Sequence, residues 1–266
     1  MADAVTDPRA AGADLNACAD LVRRGDPDRF LAAMAAPVAA RRVLFPLYAM
    51  NVEVSRAPWV TQEAIIAEMR LQWWRDALEE IAAGGAVRRH EVVTPLADVL
   101  PAPQAAALDD YVAVRQWDIY RDPFEDEAEF DRYIDRSAAS LLWAAASALG
   151  AAEEPVLRDL GYAMGVANWL RAVPDLEARG RIPLIDGSHA GLKALAEKAL
   201  DRLSDARARR GGASRAARPA LLAGWQAGTI LRQVQAEPAR VGAGSLGQSE
   251  ARKRLSLMAR AASGRW

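Results

Sequence analysis

The sequence predicts an all-α, many-helix single domain. Hydrophobic residues make up 52% of the 266. Ala dominates among them and β-branched runs are scarce, so intrinsic propensity favours helix. Apolar residues recur at spacings of three and four rather than in alternation. No two runs are joined by a hairpin turn signal, and no fixed-period repeat is visible.

Taken in order, residues 1–12 read as a disordered N-terminus and 13–266 as one helical domain. A first helix spans Asp14 to Arg24 and stops at Gly25. Asp26 then caps a second helix, with Pro27 in its first turn. Pro37 opens a long helix that reaches Arg56, where Ala57-Pro58 breaks it. Thr61 caps the next. Its apolar stripe is Ile65, Ile66, Met69, Trp73, Ala77 and Ile81, and Gly84-Gly85 ends it. Short helices over Thr94–Leu100 and Pro103–Tyr120 follow, then a turn at Asp122-Pro123. Glu125–Leu149 is acidic at its start, as the helix dipole favours, and ends at Gly150. Glu153–Ala178 reads as a buried helix with a charged, Gly-terminated end at Arg179-Gly180-Arg181. Helices over Ala190–Arg209, Arg215–Gln235 and Ser249–Ala262 complete the chain, the last two separated by a Gly/Ser-containing link over Val241–Gln248.

Composition excludes several classes of function. Lys and Arg number 34 against 35 Asp and Glu, a net charge of −1, which gives no global drive toward nucleic acid. One cysteine, Cys18, allows no internal disulfide and no Cys-based zinc site. It reads as an inert small apolar residue. The histidines, His90 and His189, share no helical spacing that would hold a metal. Residues 1–11 carry Asp3 and Asp7 and no apolar stretch, so no secretory signal is expected. No uncharged apolar run reaches the roughly 18 residues of a membrane span. The expectation is a soluble, cytoplasmic protein, with peripheral contact at the inner membrane left open.

Carboxylates at i and i+4 share a helix face and can bridge magnesium. Candidates are Asp76/Glu80, Glu125/Glu129, Asp122/Asp126 and Glu127/Asp131/Asp135. None lies in an apolar helix that would line a cavity, so a solvated face is the simpler reading. Arg41/Arg42, Arg88/Arg89 and Arg179/Arg181 are phosphate-capable, and surface solvation again competes. Arg252, Lys253, Arg254, Arg260 and Arg265, with Leu255, Leu257 and Met258, make an amphipathic C-terminal helix. It suits either an anionic membrane surface or ordinary closure of the core. Eight tryptophans serve as core fillers or pocket walls. No phosphate loop, dinucleotide fingerprint or Ser-His-Asp arrangement is present.

Three blocks carry a family resemblance. Val43-Leu44-Phe45-Pro46-Leu47-Tyr48-Ala49-Met50-Asn51-Val52-Glu53 resembles the first aspartate-rich region of squalene/phytoene synthases. Arg70-Leu71-Gln72-Trp73-Trp74-Arg75-Asp76-Ala77-Leu78 is similar to the helix that follows it. Gly165 to Leu184 resembles their second aspartate-rich region, and Tyr133 to Gly150 fits the helix between. The resemblance spans about Leu21–Leu184 and implies an isoprenoid-synthase fold. In that family two prenyl diphosphates condense, with magnesium held by both aspartate-rich motifs.

Laid on those motifs, this chain departs at the metal-binding positions. The paired aspartates of the first fall on Ser55 and Arg56, and the later one on Trp59. In the second, Asn168, Leu170, Arg171, Gly180, Arg181 and Leu184 agree, while the two aspartates fall on Ala172 and Leu176. Asp175 is one residue away, about 100° around a helix, and Glu53 is similarly displaced. Tyr48, Glu53, Asn168, Arg171, Asp175 and Arg181 remain candidates for substrate or anion binding. A retained scaffold without aspartates resembles the phytoene-synthase-like subgroup that includes a mitochondrial complex I assembly factor. That implies a non-catalytic protein in respiratory complex assembly, or one binding isoprenoid or lipid, with no cofactor and no protein metal ligand. The alternative is a magnesium-dependent prenyltransferase with shifted ligands.

Overall fold

The computed structural model describes residues 8–120 and 122–266. The described residues form helices joined by turns and loops, with one isolated β-bridge between Ala152 and Ala213. Helix α1 spans Pro8–Gly25, α2 Pro27–Ala35, α3 Val38–Arg56 and α4 Ala64–Ala83. They are followed by α5 (Val93–Ala97), α6 (Ala102–Ala113), α7 (Glu127–Ile134) and α8 (Ser140–Leu149). The C-terminal half contains α9 (Glu154–Ala178), α10 (His189–Ala208), α11 (Arg218–Leu221), α12 (Ala227–Ala236) and α13 (Glu250–Ser263).

The first helix thus begins at Pro8, earlier than the expected Asp14. Of the tail expected to be disordered, residues 1–7 lie outside the described residues. Asp26 caps α2 as predicted, its carboxylate accepting the Arg29 N–H at 2.9 Å. Thr61 does not cap α4: its hydroxyl accepts the Glu63 N–H, and the helix starts after Glu63. The expected Arg215–Gln235 helix is divided, because a 3₁₀ turn at Leu222–Gly224 separates α11 from α12. The expected Pro103–Tyr120 helix becomes α6 followed by a 3₁₀ turn at Val114–Asp118.

The stripe read on α4 holds at its C-terminal end, where Ala77 and Ile81 are buried, and fails at its start: Ile65 and Met69 are two-thirds exposed, and the buried face is Ala67, Leu71, Trp74, Ala77, Leu78 and Ile81. Spacing alone does not say which of two overlapping apolar stripes meets a neighbour. Here α6 takes the face bearing Leu71 and Trp74.

Helix α9 is the axis of the core. Fourteen of its residues, including Leu157, Leu160, Tyr162, Met164, Trp169 and Leu170, are buried. Its crossing partner is a π-helical turn at Asp135–Ala139, which joins α7 to α8 and was not foreseen within the expected Glu125–Leu149 helix. Two glycines permit the crossing. A Cβ on Gly161 would lie 2.4 Å from the Ala139 Cα, and one on Gly165 would lie 2.7 Å from both the Ala138 Cβ and the Ile134 Cγ2. The close approach sets α9 against the π turn, a distortion often found beside functional sites.

Candidate functional site

Residues Ser55, Arg56 and Trp59, together with Ala172 and Leu176, line one cavity of about 310 Å³. The local reason is helical phase. Leu44, Leu47, Tyr48 and Val54 bury one side of α3, which leaves Asn51, Val52, Ser55 and Arg56, with Trp59 of the 3₁₀ turn that follows, on the cavity side. On α9 the stripe Gly165, Asn168, Ala172 and Leu176 repeats the same period opposite. Ile134 at the end of α7 and Ser137 and Ala138 of the π turn add to it, and Leu141 of α8 closes the apolar end.

The charged groups in this cavity are two carboxylates, Asp26 and Asp118, and three guanidiniums, Arg29, Arg56 and Arg115. Both carboxylates are already engaged. Arg29 donates to Asp26 at 2.5 Å. Burial opposes the charge on Arg29, but Asp26 and Tyr48 outweigh it and hold the guanidinium firmly protonated. Deeper in, Arg115 pairs with Asp118 at 3.3 Å and donates to the Tyr133 hydroxyl at 2.9 Å. Tyr133 in turn donates to Asp118 at 3.0 Å. Burial pushes the Asp118 carboxyl up, while Arg115, the Tyr133 hydroxyl and Arg181 pull it back. Burial also raises the Tyr133 phenol. Among the described residues Arg56 makes no ion pair, so it is the unmatched charge of the cavity.

This donor set does not fit a magnesium–diphosphate cluster. Magnesium needs hard oxygen ligands in near-octahedral order, usually including free carboxylates. Here the carboxylates are held by arginines, and a cation, an indole, an alanine and a leucine stand at four of the five motif positions. No group of three or more His, Cys, Asp or Glu residues is placed to hold a metal among the described residues.

The remaining sequence candidates scatter. Tyr48 is buried beneath the Arg29 guanidinium, 5.8 Å from its ring centroid, and does not line the cavity. Glu53 is half-buried and does not line it either. Asp175 is exposed and lines an outer groove of about 460 Å³ with Arg56, Trp59, Val60, Ala172, Leu176 and Arg179. Glu53 and Asp175 are therefore not brought together. Asn168 is exposed at the junction of the cavity and a neighbouring 570 Å³ groove. In that groove Arg171 bonds Asp28 at 2.9 Å. Asp28 also accepts from Gln226 at 2.8 Å and Lys253 at 3.3 Å, tying α2 to α9, to the residue that precedes α12 and to α13.

Arg181, expected at the surface, is 4% exposed. It donates to the Trp117 and Asp118 carbonyls and lies 4.3 Å from the Trp117 ring centroid. Its role is to fasten the α9 exit against the Val114–Asp118 turn. Arg88 and Arg89 are likewise engaged, with Glu80 and Asp14 at 2.7 and 2.6 Å. The i, i+4 carboxylates lie outside the cavity. Asp131 accepts from Tyr162 and Lys198, and Asp135 from Arg158.

The sequence reading missed Arg29, Arg115, Asp118 and Tyr133. Arg115 and Asp118 are spaced three apart, which was a local signal for a pair. Their burial comes from the aromatic cluster of Trp117, Phe124, Phe130, Tyr133 and Trp169, whose Trp117–Phe124 rings stack at 4.2 Å. Only folding assembles it.

Helical layers around α9, with a cavity between α3 and the two halves of the α7–α9 hairpin, define an isoprenoid-synthase-type fold. A dehydrosqualene synthase solved with a ligand superposes with a TM-score of 0.80, at 17% identity, over 97% of this chain and 98% of that one. A squalene synthase from Alicyclobacillus acidocaldarius gives 0.72 at 16% identity, over 88% and 97%. The squalene/phytoene synthase family model matches residues 22–184, and the chain belongs to that family. Curated relatives include the Drosophila melanogaster homolog of NADH dehydrogenase (ubiquinone) complex I, assembly factor 6. It is 29% identical over 63% of this chain and 53% of its own length. The Homo sapiens assembly factor 6 is 25% identical over 67% of this chain and 55% of its own. The chain thus spans about half the length of the curated relatives it matches.

Proposed function

We propose that this chain is a catalytically silent squalene/phytoene synthase homologue that serves in assembly of a respiratory membrane complex, the NADH dehydrogenase after which its relatives are named. The cavity carries the proposal. At the positions of the family's aspartates it holds Ser55, Arg56, Trp59, Ala172 and Leu176. Diphosphate ionisation needs metal ions to offset the departing charge. A cavity whose carboxylates are spent on Arg29 and Arg115 supplies no place for them. The prenyltransferase alternative would need Glu53 and Asp175 to converge, and they sit apart.

A second reading, binding of an isoprenoid or lipid, is favoured by the retained space itself. Ile134, Leu141, Gly165 and Trp169 give it an apolar end. No described helix is long and apolar enough to cross a membrane, so contact with a membrane complex would be peripheral.

The test has two arms. Purified protein is incubated with farnesyl or geranylgeranyl diphosphate and magnesium, and diphosphate release is followed. None is expected, and turnover would sink the silent reading. In a deletion strain the assembled NADH dehydrogenase complex is measured on native gels. A fall restored equally by the wild-type chain and by the E53A/D175A double variant, which lacks the acids that the prenyltransferase alternative needs, supports assembly without chemistry. Unchanged complex levels overturn the assembly role.

A further inference from the structure

Three arginines outside the cavity converge where α10, α12 and α13 come together. Arg207 stands in the last turn of α10, Arg232 on α12 and Arg260 in the last turn of α13. The Arg207 guanidinium lies over Gly228, where a Cβ would stand 3.6 Å from both of its terminal nitrogens. Gly228 and Arg232 are four apart on α12, so helical period puts Arg232 on the face that Arg207 covers. The Arg207 Nε donates to the Trp266 main-chain oxygen at 3.1 Å. Its two terminal nitrogens make no hydrogen bond among the described residues. Among the described residues none of the three arginines makes an ion pair. Elsewhere the half-buried guanidiniums of Arg115, Arg158, Arg171 and Arg202 each meet an acid.

The cluster is held together against its own charge. Arg207 and Arg260 are half-buried. Burial, then Arg260 and Arg232, pull Arg207 below the ordinary arginine value, and burial and Arg232 do the same for Arg260. Guanidinium still keeps its proton at neutral pH, so the repulsion is not relieved by titration. A helix C-terminus offers only about half a negative charge, which leaves the cluster net positive. Half-buried charge of one sign calls for a counter-charge.

We propose that Arg207, Arg232 and Arg260 bind a phosphate-class dianion at the junction of α10, α12 and α13, outside the α3–α9 cavity, which none of the three lines. Guanidinium forks match the oxygens of a tetrahedral oxyanion, and one dianion can meet several forks at once. The bond from Nε to Trp266 fixes the Arg207 plane and leaves both terminal nitrogens for the ligand, which lowers the entropy lost on binding. Free phosphate, a phosphomonoester and a lipid phosphate headgroup share this chemistry. The site is separate from the cavity, so prenyl diphosphate turnover there neither supports nor defeats it.

The experiment titrates the full chain with inorganic phosphate at mildly alkaline pH and constant ionic strength, following heat and Tm. Phosphate is expected to bind and to raise Tm. R207Q, R232Q and R260Q, checked for folding by circular dichroism, should each weaken binding about tenfold or more. R70Q, exposed on α4, and R56Q, in the cavity, should bind as wild type. If the arginines served structure alone, losing one would lower Tm. Mutual repulsion predicts the reverse for the exposed Arg232: R232Q should melt higher than wild type without phosphate and lose the rise that phosphate brings. Vesicles of phosphatidylcholine with phosphatidic acid identify the source. Co-sedimentation that phosphate displaces and R232Q abolishes assigns a lipid headgroup, whereas phosphate binding without co-sedimentation assigns a soluble phosphate. Absence of phosphate binding, heats matched by sodium chloride, binding lost in R56Q but kept in the three cluster variants, or an R232Q that melts lower than wild type would each overturn the proposal.

Discussion

Replacing Gly161 by Ala tests the packing that holds the site. The new Cβ would sit 2.4 Å from the Ala139 Cα, 2.8 Å from its Cβ and 3.2 Å from its N. Ordinary carbon contacts are about 3.5–4.0 Å. The obstacle is the backbone of the π turn, which cannot rotate aside, so α9 must retreat by roughly 1 Å. Overpacking of this kind costs about 1–3 kcal/mol, and a backbone obstacle belongs at the upper end. Ala recovers about 1 kcal/mol of helix propensity over Gly. The net loss is about 2 kcal/mol, a large fraction of the roughly 5–15 kcal/mol that holds a domain, and it lowers Tm by roughly 4–8 °C. Gly165→Ala meets side chains, at 2.7 Å, rather than backbone, and should lose about half as much. Gly211→Ala, with nothing within 4 Å, is the neutral control. Urea unfolding of the three variants decides. If G161A were as stable as wild type, or gained the propensity increment, the close crossing of α9 and the π turn would be wrong, and with it the placement of Ala172 and Leu176.

Two other outcomes follow from buried groups. Asp28 accepts from Arg171, Gln226 and Lys253, and those partners outweigh burial and hold its carboxyl below the ordinary 3.8. Its contribution is therefore present above that value and lost as pH falls through the lowered folded value. D28N should cost about 2 kcal/mol at neutral pH and flatten the acid limb of the stability curve; an unchanged limb would remove Asp28 from the account. Cys18 is fully buried, and burial, with Asp14 and Glu91, pushes its thiol to about 12. Iodoacetamide at pH 8 should leave it unmodified in the native protein and alkylate it in denaturant, as mass spectrometry would show.

The site was partly legible in the chain. Motif register brought Ser55, Arg56, Trp59, Ala172 and Leu176 to notice, because helical spacing carries a residue's face as well as its number. The same reasoning misplaced Arg181, whose burial depends on Trp117 from a distant turn. It also misphased the start of α4, where Ile65 and Met69 fit a stripe as well as Leu71 and Trp74 do, while Ala77 and Ile81 are buried as expected. The charge balance of the cavity was hinted at only by the three-residue spacings Asp26/Arg29 and Arg115/Asp118; that both pairs line one cavity shows only in space.

By itself the sequence determined the helical class, the Asp26 cap, the family and the positions where carboxylates are missing. These follow from local propensity, helical period and motif order, all of which are near-neighbour properties. Tertiary structure alone decided that those positions share one cavity, that its acids are already paired, and that Arg56 is left unmatched. Those facts depend on which helix faces meet. That was set by Gly161 and Gly165 against a π turn, through contacts between residues far apart in the chain.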